Sequence, residues 1–528
     1  MQMLKRRGIA VAFGIPGTHT IELYRGLPAS GIRHITPRHE QGAGFMADGY
    51  ARVTGQPAVC LTVSGPGALN IATAMGQALQ DSVPMLVISA DNNTYQRGMG
   101  QGRLHDTRNL QAAMAECSVW SHTLTRPDEL PVVLARAFSI FHSERPGPVH
   151  LSVPVDVITA SADHVRDIHW AVPARPGPAE PELARAAAML NRARRPVIAL
   201  GGGAADASDL VRALAAKLDA PVTTTHNARG ILAPDDPLLV ATSPALAAVR
   251  HLYREADVVL AVGTEFSETD YDFFFDGGFA LGGDLIRIDI DAAQLCRNAA
   301  PALAIQSDSA LAVTALLPQL EQGARNGAGR VREVMDAVSE HSPHYQRFLD
   351  ALLEAQPDAI LVADSTQPAY FAAAQYHPAQ SRSFASAATG YGTLGYALPA
   401  AFGARLGQPE RPVIALIGDG GLQFTISELA TAVEAGIGVA IVLWNNRSYA
   451  MIAQNFVDAG MEPIACDIGT PDFLAVARAY GCRAIRVQDT NELQAQLREA
   501  DKHNVPTLIE VSEEDFLPGA GLSDASRE

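Results

Sequence analysis

Short apolar runs alternate with helical patterns along the whole chain. Strands are predicted where apolar and β-branched residues run together for five to seven positions, at 58–64, 84–89, 196–200, 257–262, 413–417 and 439–443. Glycine-containing turns and helical stretches separate these runs, which is the βαβ rhythm of a parallel sheet. Because the runs are continuously apolar, each sheet should be covered on both faces. The pattern therefore predicts an α/β protein built from doubly wound parallel sheets.

Two polar breaks divide the chain. Segment 172–182 holds four prolines in eleven residues and is typical of an extended linker, and segment 322–330 is a second, glycine-containing break. The predicted domains are 1–170, 183–320 and 343–520. Three domains also agree with the length of 528 residues. Ligands of doubly wound sheets bind at the carboxyl ends of strands, so candidate chemistry is expected in the turns found there.

One such turn carries the strongest motif. The segment 418–421 reads Gly-Asp-Gly-Gly directly after a predicted strand, and the pair 445–446 reads Asn-Asn at the end of the next. Asp419 and Asn446 should therefore lie at one edge of a sheet. Carboxylate and amide oxygens suit Mg²⁺, and the glycines let backbone N–H groups approach phosphate oxygens. The arrangement predicts an anchor for a metal ion and a diphosphate.

A helix is predicted to begin just after this turn. Thr425 and Glu428 have the spacing of a capping box, in which each side chain bonds to the other's backbone N–H.

Gly-Asp-Gly followed by Asn-Asn at this distance resembles the signature of thiamine-diphosphate enzymes. Further segments resemble the acetolactate synthase and benzoylformate decarboxylase group in the same order: FGIPG at 13–17, RHEQGA at 38–43, ADGYAR at 47–52, SGPG at 64–67, GTLG at 392–395 and LPAA at 398–401. The resemblance covers nearly the whole chain. It implies an N-terminal domain that binds the cofactor's pyrimidine, a non-catalytic middle domain, and a C-terminal domain that binds diphosphate and Mg²⁺.

The resemblance also implies roles for matching residues. Glu40 matches the glutamate that hydrogen-bonds the aminopyrimidine, and Leu394 matches the apolar residue that supports the bent cofactor. Metal ligation falls to Asp419, Asn446 and the backbone carbonyl of Ser448. The remaining expected cofactor contacts are Thr366, Gln367, Gly392, Gly418, Gly420 and Gly421. Taken without the resemblance, Glu40 is equally compatible with a helix-start carboxylate stabilised by the helix dipole.

In this family the pyrimidine and diphosphate domains of one active site come from different subunits. The resemblance therefore implies a homodimer or homotetramer with sites between subunits. The residue at 447 is an arginine, where the family usually has a small residue.

An acidic segment bears on the substrate. Asp270 falls where benzoylformate decarboxylase has an active-site histidine, and further carboxylates accompany it at positions 265, 268, 272 and 276. Carboxylates bind a guanidinium through paired hydrogen bonds. This segment and residues 17–24 resemble 5-guanidino-2-oxopentanoate decarboxylase, which releases CO₂ and 4-guanidinobutanal. The implied substrate contacts are Asp270, Glu268 and Thr18. A solvated acidic loop is the other interpretation, and the flavin-associated Arg-Phe-Asp pattern of acetolactate synthases is missing here.

Two histidines are candidate proton donors or substrate contacts. His19 follows the Pro-Gly turn at 16–17, and His105 falls where acetolactate synthases tend to carry glutamine.

Composition narrows the class of partner. The chain has 40 Lys and Arg against 57 Asp and Glu, a net charge of −17, and no basic stripe, which argues against a nucleic-acid partner. No apolar run approaches the ~18 residues of a membrane span. Five scattered cysteines indicate reduced thiols, so a cytoplasmic protein is expected.

Three other functions remain open from the sequence. The first is an acetolactate-synthase-like carboligase. The second is a nicotinamide-dependent oxidoreductase, suggested by the glycine triplet at 201–203, which lacks the full dinucleotide fingerprint. The third is a non-catalytic regulatory homologue.

Overall fold

The computed structural model of the chain describes residues 1–166, 168, 170–273, 275–338 and 343–516. Positions 517–520 of the predicted third domain lie outside the described residues.

The described residues form three parallel sheets. In chain order the strands are β1 (Val11–Gly14), β2 (Arg33–Ile35), β3 (Ala58–Thr62), β4 (Met85–Asp91), β5 (Trp120–Thr123), β6 (Pro148–Pro154), β7 (Pro196–Leu200), β8 (Val222–Thr224), β9 (Val258–Val262), β10 (Asp284–Asp289), β11 (Leu303–Gln306), β12 (Ile360–Ala363), β13 (Phe384–Ser386), β14 (Val413–Gly418), β15 (Ala440–Asn445), β16 (Arg483–Val487) and β17 (Thr507–Ser512).

Helices connect these strands. They are α1 (Gln2–Arg6), α2 (Ile21–Arg25), α3 (Leu27–Ser30), α4 (Glu40–Thr54), α5 (Pro66–Gln80), α6 (Leu110–Ala115), α7 (Leu130–Ser143), α8 (Val155–Ile158), α9 (Glu180–Arg192), α10 (Ser208–Leu218), α11 (Ala247–Glu255), α12 (Glu268–Tyr271), α13 (Ser309–Leu316), α14 (Gly327–Ala337), α15 (Pro343–Ala355), α16 (Gln367–Gln375), α17 (Ala397–Gly407), α18 (Asp419–Thr425), α19 (Glu428–Ala435), α20 (Ala450–Asp458), α21 (Phe473–Ala479), α22 (Thr490–Ala500) and α23 (Glu513–Phe516).

Within the described residues the chain folds as two compact units. The first contains residues 1–173, 359–366 and the part beginning at 391, and the second contains 174–358 and 367–390. The first unit holds a sheet in the order β2-β1-β3-β4-β6-β5 and the strands β12-β14-β15-β17-β16 of another. The second unit holds a sheet in the order β11-β10-β9-β7-β8. Strand pairs within these orders are parallel, so the predicted fold class of three doubly wound α/β sheets is confirmed.

The sheet of the second unit has an apolar core on each face. Ile198 and Leu200 of β7 pack into one cluster of buried residues, whereas Val197 and Ala199 pack into another. Alternate residues of a strand point to opposite faces, so a continuously apolar strand is the one that buries both. The sequence pattern predicted this covering correctly.

The glycine triplet at 201–203 follows β7 and has a packing explanation. An ideal Cβ added to Gly201 would lie 2.0 Å from the carbonyl oxygen of Gly263, and one added to Gly203 would lie 2.9 Å from the Cα of Gly263. Close approach of two backbones therefore accounts for glycine here without a dinucleotide.

Helix α4, in the first unit, carries a buried ion-pair cluster. The guanidinium of Arg52 contacts Asp48 and Asp81, each at 2.6 Å, and all three side chains are buried. The hydroxyl of Tyr396 donates to Asp48 at 2.7 Å. Burial raises the pKa of Asp48, although Arg52 opposes that shift. The ADGYAR segment thus supplies both charges of a desolvated pair that joins α4 to the residues just before α17.

The predicted break at 322–330 is wrong in its second half, because α14 begins at Gly327.

Among the described residues, no helix combines the length and apolar character needed to cross a membrane.

Candidate active site

The Gly-Asp-Gly turn lies where β14 ends and α18 begins. Gly418 is the last residue of β14, and Asp419 is the first residue of α18. A Cβ on Gly420 would lie 2.5 Å from the ring of Tyr449, and one on Gly421 would lie 2.9 Å from Oδ1 of Asp364. The turn therefore has room for backbone alone, so only glycine fits at these two positions.

Asp419 has the environment that a metal-binding carboxylate requires. Its side chain is buried, and Oδ2 has no hydrogen-bond partner among the described residues. Burial raises its pKa to about 6, while the backbone N–H groups of Asn446, Gly420 and Arg447 favour the charged form. A buried carboxylate oxygen without a partner is costly, and a cation would satisfy it. The donor set here therefore fits Mg²⁺.

Both asparagines of the Asn-Asn pair are held through their amide nitrogens. Asn445 Nδ2 donates to Glu510 at 2.8 Å, and Asn446 Nδ2 donates to Glu513 at 3.1 Å. Glu513 also accepts a hydrogen bond from Trp444 Nε1 at 2.6 Å. Because a carboxylate only accepts hydrogen bonds, each amide must direct its oxygen away from its glutamate. Glu513 thereby sets which way Asn446 presents its candidate metal-binding oxygen.

The loop after Asn446 is tied to a second loop and forms a cleft. Arg447 has a φ of +57°, and its carbonyl accepts the N–H of Ile468 at 3.0 Å. Tyr449 N donates to Cys466 O at 2.9 Å, and Ser448 forms a bridge with Asp467. A cleft of about 590 Å³ opens here, lined by Gly420, Gln423, Phe424, Tyr449, Asp467, Ile468 and Gly469. The sequence analysis did not predict that Asp467 and Tyr449 line this cleft. Tyr449 could have been suspected, because it follows Asn446 closely along the chain.

The turn that carries Leu394 is held by a buried carboxylate. Asp364, which follows β12, accepts the N–H groups of Gly395 at 3.3 Å and Ala397 at 3.0 Å. Burial raises the pKa of Asp364 to about 6. Leu394 is half-buried, and Gly392 and Gly395 on either side of it have positive φ values. This support for Leu394 is not visible in the sequence, since 30 residues separate the turn from Asp364.

The other two predicted diphosphate contacts follow β12 along the chain. Thr366 is buried in the first unit, and a Cβ on Gly418 would lie 3.0 Å from its hydroxyl oxygen. Gln367 begins α16 of the second unit.

Glu40 is the first residue of α4, as its position after a strand suggested. Its side chain is buried, and Oε2 accepts a hydrogen bond from Asn70 Nδ2 of α5 at 3.0 Å. His39 caps the helix by accepting the N–H of Gln41 at 3.1 Å. The carboxylate therefore combines burial, a helix N-terminus and one neutral donor.

The predicted capping box is wrong. Thr425 lies at the end of α18, and its hydroxyl donates to Gly395 O at 2.8 Å. Ser427 is the residue before α19, and its side chain makes no capping hydrogen bond. Glu428 instead accepts hydrogen bonds from the backbone of Arg38 and His39. Long-range partners have displaced a local pattern.

The two candidate histidines lie together in the first unit. Their ring centroids are 5.4 Å apart, and His19 Nδ1 lies 3.2 Å from Ser64 Oγ. Burial and the neighbouring His105 lower the pKa of His19, with Asp91 opposing. His105 has a φ of +56°, and its Nδ1 is buried with no hydrogen-bond partner among the described residues. Thr18, next to His19, is exposed.

The acidic segment of the second unit is largely paired within the chain. Asp270 contacts His226 Nδ1 at 2.8 Å and accepts the backbone N–H of His226 at 3.0 Å. Burial alone would raise the pKa of Asp270, but His226 and Ser267 outweigh it and the pKa is lowered. Glu268 is exposed at the start of α12.

Two other carboxylates of this segment share one internal guanidinium. Arg250 is buried and contacts Asp272 at 2.8 Å and Asp276 at 2.6 Å. Part of the acidic excess therefore neutralises a cation of the chain itself.

The domains and the site define a class. Residues 1–114 match the N-terminal TPP-binding domain of thiamine pyrophosphate enzymes, residues 183–316 match their central domain, and residues 364–511 match their C-terminal TPP-binding domain. The chain belongs to the thiamine pyrophosphate enzymes. The predicted family and its cofactors, thiamine diphosphate with Mg²⁺, are confirmed.

Three individual proteins of this family are similar to the chain over nearly its whole length. A probable 2-ketoarginine decarboxylase of Pseudomonas aeruginosa is 44% identical over 523 residues, covering 97% of this chain and 92% of the relative. The acetolactate synthase isozyme 1 large subunit of Escherichia coli is 33% identical over 526 residues, covering 97% and 92%. A probable acetolactate synthase large subunit of Methanocaldococcus jannaschii is 30% identical over 544 residues, covering 97% and 90%.

Proposed function

We propose that this enzyme decarboxylates 5-guanidino-2-oxopentanoate, also called 2-ketoarginine, to 4-guanidinobutanal and CO₂. The observation that carries the proposal is the 44% identity to a probable 2-ketoarginine decarboxylase across 97% of the chain. The acetolactate synthases match over the same span at lower identity, so a carboligase is the second candidate.

In this proposal residues at or just after strand ends hold the cofactor. Asp419, Asn446 and the carbonyl of Ser448 bind Mg²⁺, and the turn at 418–421, with Thr366 and Gln367, binds the diphosphate. The unpartnered Oδ2 of Asp419 and the glutamate-held amide of Asn446 support these assignments. When bound, thiamine diphosphate supplies the electron-accepting ring on which 2-oxoacids lose CO₂.

Glu40 is the proposed catalytic residue. Its buried carboxylate holds and exchanges a proton at the aminopyrimidine, and Leu394, with Gly392 beside it, supports the cofactor's shape. His19 and His105 are proposed to handle protons near the substrate. Their ring contact and the lowered pKa of His19 support a neutral His19 that can accept a proton.

The substrate's cationic tail is assigned to Asp270, with Glu268 and Thr18 as further contacts. Asp270 already holds His226, so a guanidinium would share or replace that partner. Bidentate pairing favours guanidinium over imidazole at a carboxylate, which supports exchange of partners.

We further propose domains at 1–170, 183–320 and 343–520, a cytoplasmic location, and a homodimer or homotetramer with sites between subunits. The five cysteines are free thiols, which supports a reducing compartment.

A substrate panel tests the proposal. Purified enzyme with thiamine diphosphate and Mg²⁺ would be given 2-ketoarginine, benzoylformate and pyruvate, with CO₂, aldehyde and carboligated products measured. We expect preference for 2-ketoarginine with release of the aldehyde. Preference for pyruvate with a carboligated product would establish the second candidate instead.

Two variants test the residue roles in the same assay. Glu40→Gln should lower turnover by at least about 100-fold while cofactor binding persists. Asp270→Asn should reduce kcat/KM for 2-ketoarginine much more than for pyruvate. Equal losses on both substrates would remove Asp270 from the substrate site.

A further inference from the structure

Glu428 is a buried carboxylate whose hydrogen bonds reach the helix that carries Glu40. Its side chain is fully buried at the first position of α19. The N–H of Arg38 donates to Oε1 at 3.0 Å and to Oε2 at 3.1 Å, and the N–H of His39 donates to Oε1 at 2.9 Å. Thr431 Oγ1 donates to Oε2 at 2.6 Å. Every strong acceptor position of this carboxylate is therefore used.

The two backbone donors occupy a defined place in the chain. His39 is the N-cap of α4, and Arg38 is the residue before it. Their N–H groups precede the helix and so have no partner inside it. A carboxylate from a distant part of the chain satisfies them with charge-assisted bonds and adds negative charge where the helix dipole favours it. The backbone directly before Glu40 is therefore held by a side chain of α19.

Gly42 makes this approach possible. An ideal Cβ on Gly42 would lie 2.4 Å from Oε1 and 2.6 Å from Cδ of Glu428. Any larger residue would push the carboxylate away from Arg38 and His39. The close approach of Glu428 therefore explains why the RHEQGA segment has glycine at position 42.

We propose that Glu428 is a positioning residue for Glu40. By fixing the backbone of residues 38 and 39, it sets the direction in which the Glu40 carboxylate leaves the first turn of α4. The inference rests on the proposed role of Glu40 and adds the group that holds that residue in place. Misplacement of a reacting group by about 1 Å can cost about 100-fold in rate, so loss of this anchor should be visible in the proton-transfer step.

The test compares two glutamates of α19. Glu428→Gln removes one acceptor oxygen from the backbone contacts. Glu434→Gln is the matched control, because Glu434 contacts the same Arg38, but through the guanidinium and at the surface, with 63% of its side chain exposed. Both variants remove one carboxylate from one helix.

Three measurements separate positioning from general stability. Amide hydrogen exchange is followed at residues 36–42 in the cofactor-free protein. Exchange of the thiazolium C2 proton of bound thiamine diphosphate with D₂O reports the step assigned to Glu40 without turnover. Steady-state kinetics give kcat and KM for the 2-oxoacid separately.

For Glu428→Gln we expect faster amide exchange at Arg38 and His39. C2-proton exchange and kcat should each fall by at least about 10-fold, while KM stays within about 2-fold. Glu434→Gln should match the wild type in all three. If C2-proton exchange in Glu428→Gln equals that of the wild type, Glu428 does not position Glu40.

A second variant covers the case in which Glu428→Gln does not fold. Gly42→Ala displaces the carboxylate and leaves its charge in place, so it should slow C2-proton exchange in the same direction. Normal exchange in Gly42→Ala would also overturn the inference. Glu40→Gln is measured alongside. If Glu40→Gln keeps fast C2-proton exchange, the proposed role of Glu40 is wrong. If Glu40→Gln loses this exchange while Glu428→Gln and Gly42→Ala keep it, only the positioning role of Glu428 is wrong.

Discussion

The buried cluster around Arg52 allows a sharp test of how the ADGYAR segment stabilises the fold. Replacing Arg52 with methionine keeps most of the side-chain volume and removes the charge. Asp48 and Asp81, whose side chains are 0% and 6% exposed, would lose their cation. Breaking a buried ion pair by removing one partner costs about 3–5 kcal/mol.

Arg25→Met is the matched control. Arg25 also pairs with an acidic residue within one turn of its helix, but its side chain is 72% exposed, and exposed pairs contribute about 0–1 kcal/mol. With about 2–4 °C per kcal/mol in domains of this size, Arg52→Met should lower the unfolding temperature by roughly 6–20 °C. Arg25→Met should lower it by less than about 4 °C. Circular dichroism and differential scanning calorimetry measure both shifts.

The loss of stability in Arg52→Met should also depend on pH. Burial already raises the pKa of Asp48, and loss of Arg52 raises it further. A carboxyl whose pKa is raised on folding costs stability as the pH rises through the folded value, because the unfolded state ionises more readily. The deficit should therefore be larger at pH 8 than at pH 5. Equal shifts for the two variants, or a deficit independent of pH, would refute this account.

Two further variants probe the loop at the proposed metal site. Glu513→Gln should raise the Mg²⁺ concentration needed for half-maximal thiamine diphosphate binding by about 10-fold or more, because the amide of Asn446 loses its fixed orientation. Calorimetric titration measures this concentration, and Glu514→Gln, which changes the exposed neighbouring residue, is the control. An unchanged titration in Glu513→Gln would contradict the role of Glu513. Arg447→Gly should raise the unfolding temperature of the cofactor-free protein slightly, since a non-glycine residue with left-handed φ costs about 1–2 kcal/mol, partly offset by the greater freedom of glycine in the unfolded chain. Arg447→Ala keeps the Cβ and should give no such gain, so equal gains would point to a cause other than backbone strain.

Local patterns predicted where in the fold several candidate site residues lie. Asp419 and Asn446 were placed at neighbouring strand ends because parallel strands with crossover helices bring their carboxyl ends to one edge. Glu40 was expected to open a helix because it follows an apolar strand, and it does. These features depend on residues close together in the chain.

Other features depended on partners that no local pattern reveals. Glu428 has the spacing of a capping box with Thr425, yet its carboxylate bonds to Arg38 and His39. The acidic segment was interpreted as either a carboxylate pocket or a solvated loop, and Arg250 pairs with two of its members. In both cases a buried group pairs with partners that tertiary packing brings within reach, because leaving it unpaired inside the protein is costly.

The sequence by itself determined the three parallel sheets, the covering of both sheet faces, the cofactor family and the strand ends where its ligands should lie. Those properties follow from hydrophobic periodicity and short motifs, which act over a few residues. Only the tertiary structure decided how the candidate site residues are held: Glu513 bonds to Asn446, Asp364 to the turn of Leu394, and Glu428 to the backbone before Glu40. The reason is physical, since buried polar groups must be paired and the fold alone determines which partners come within reach.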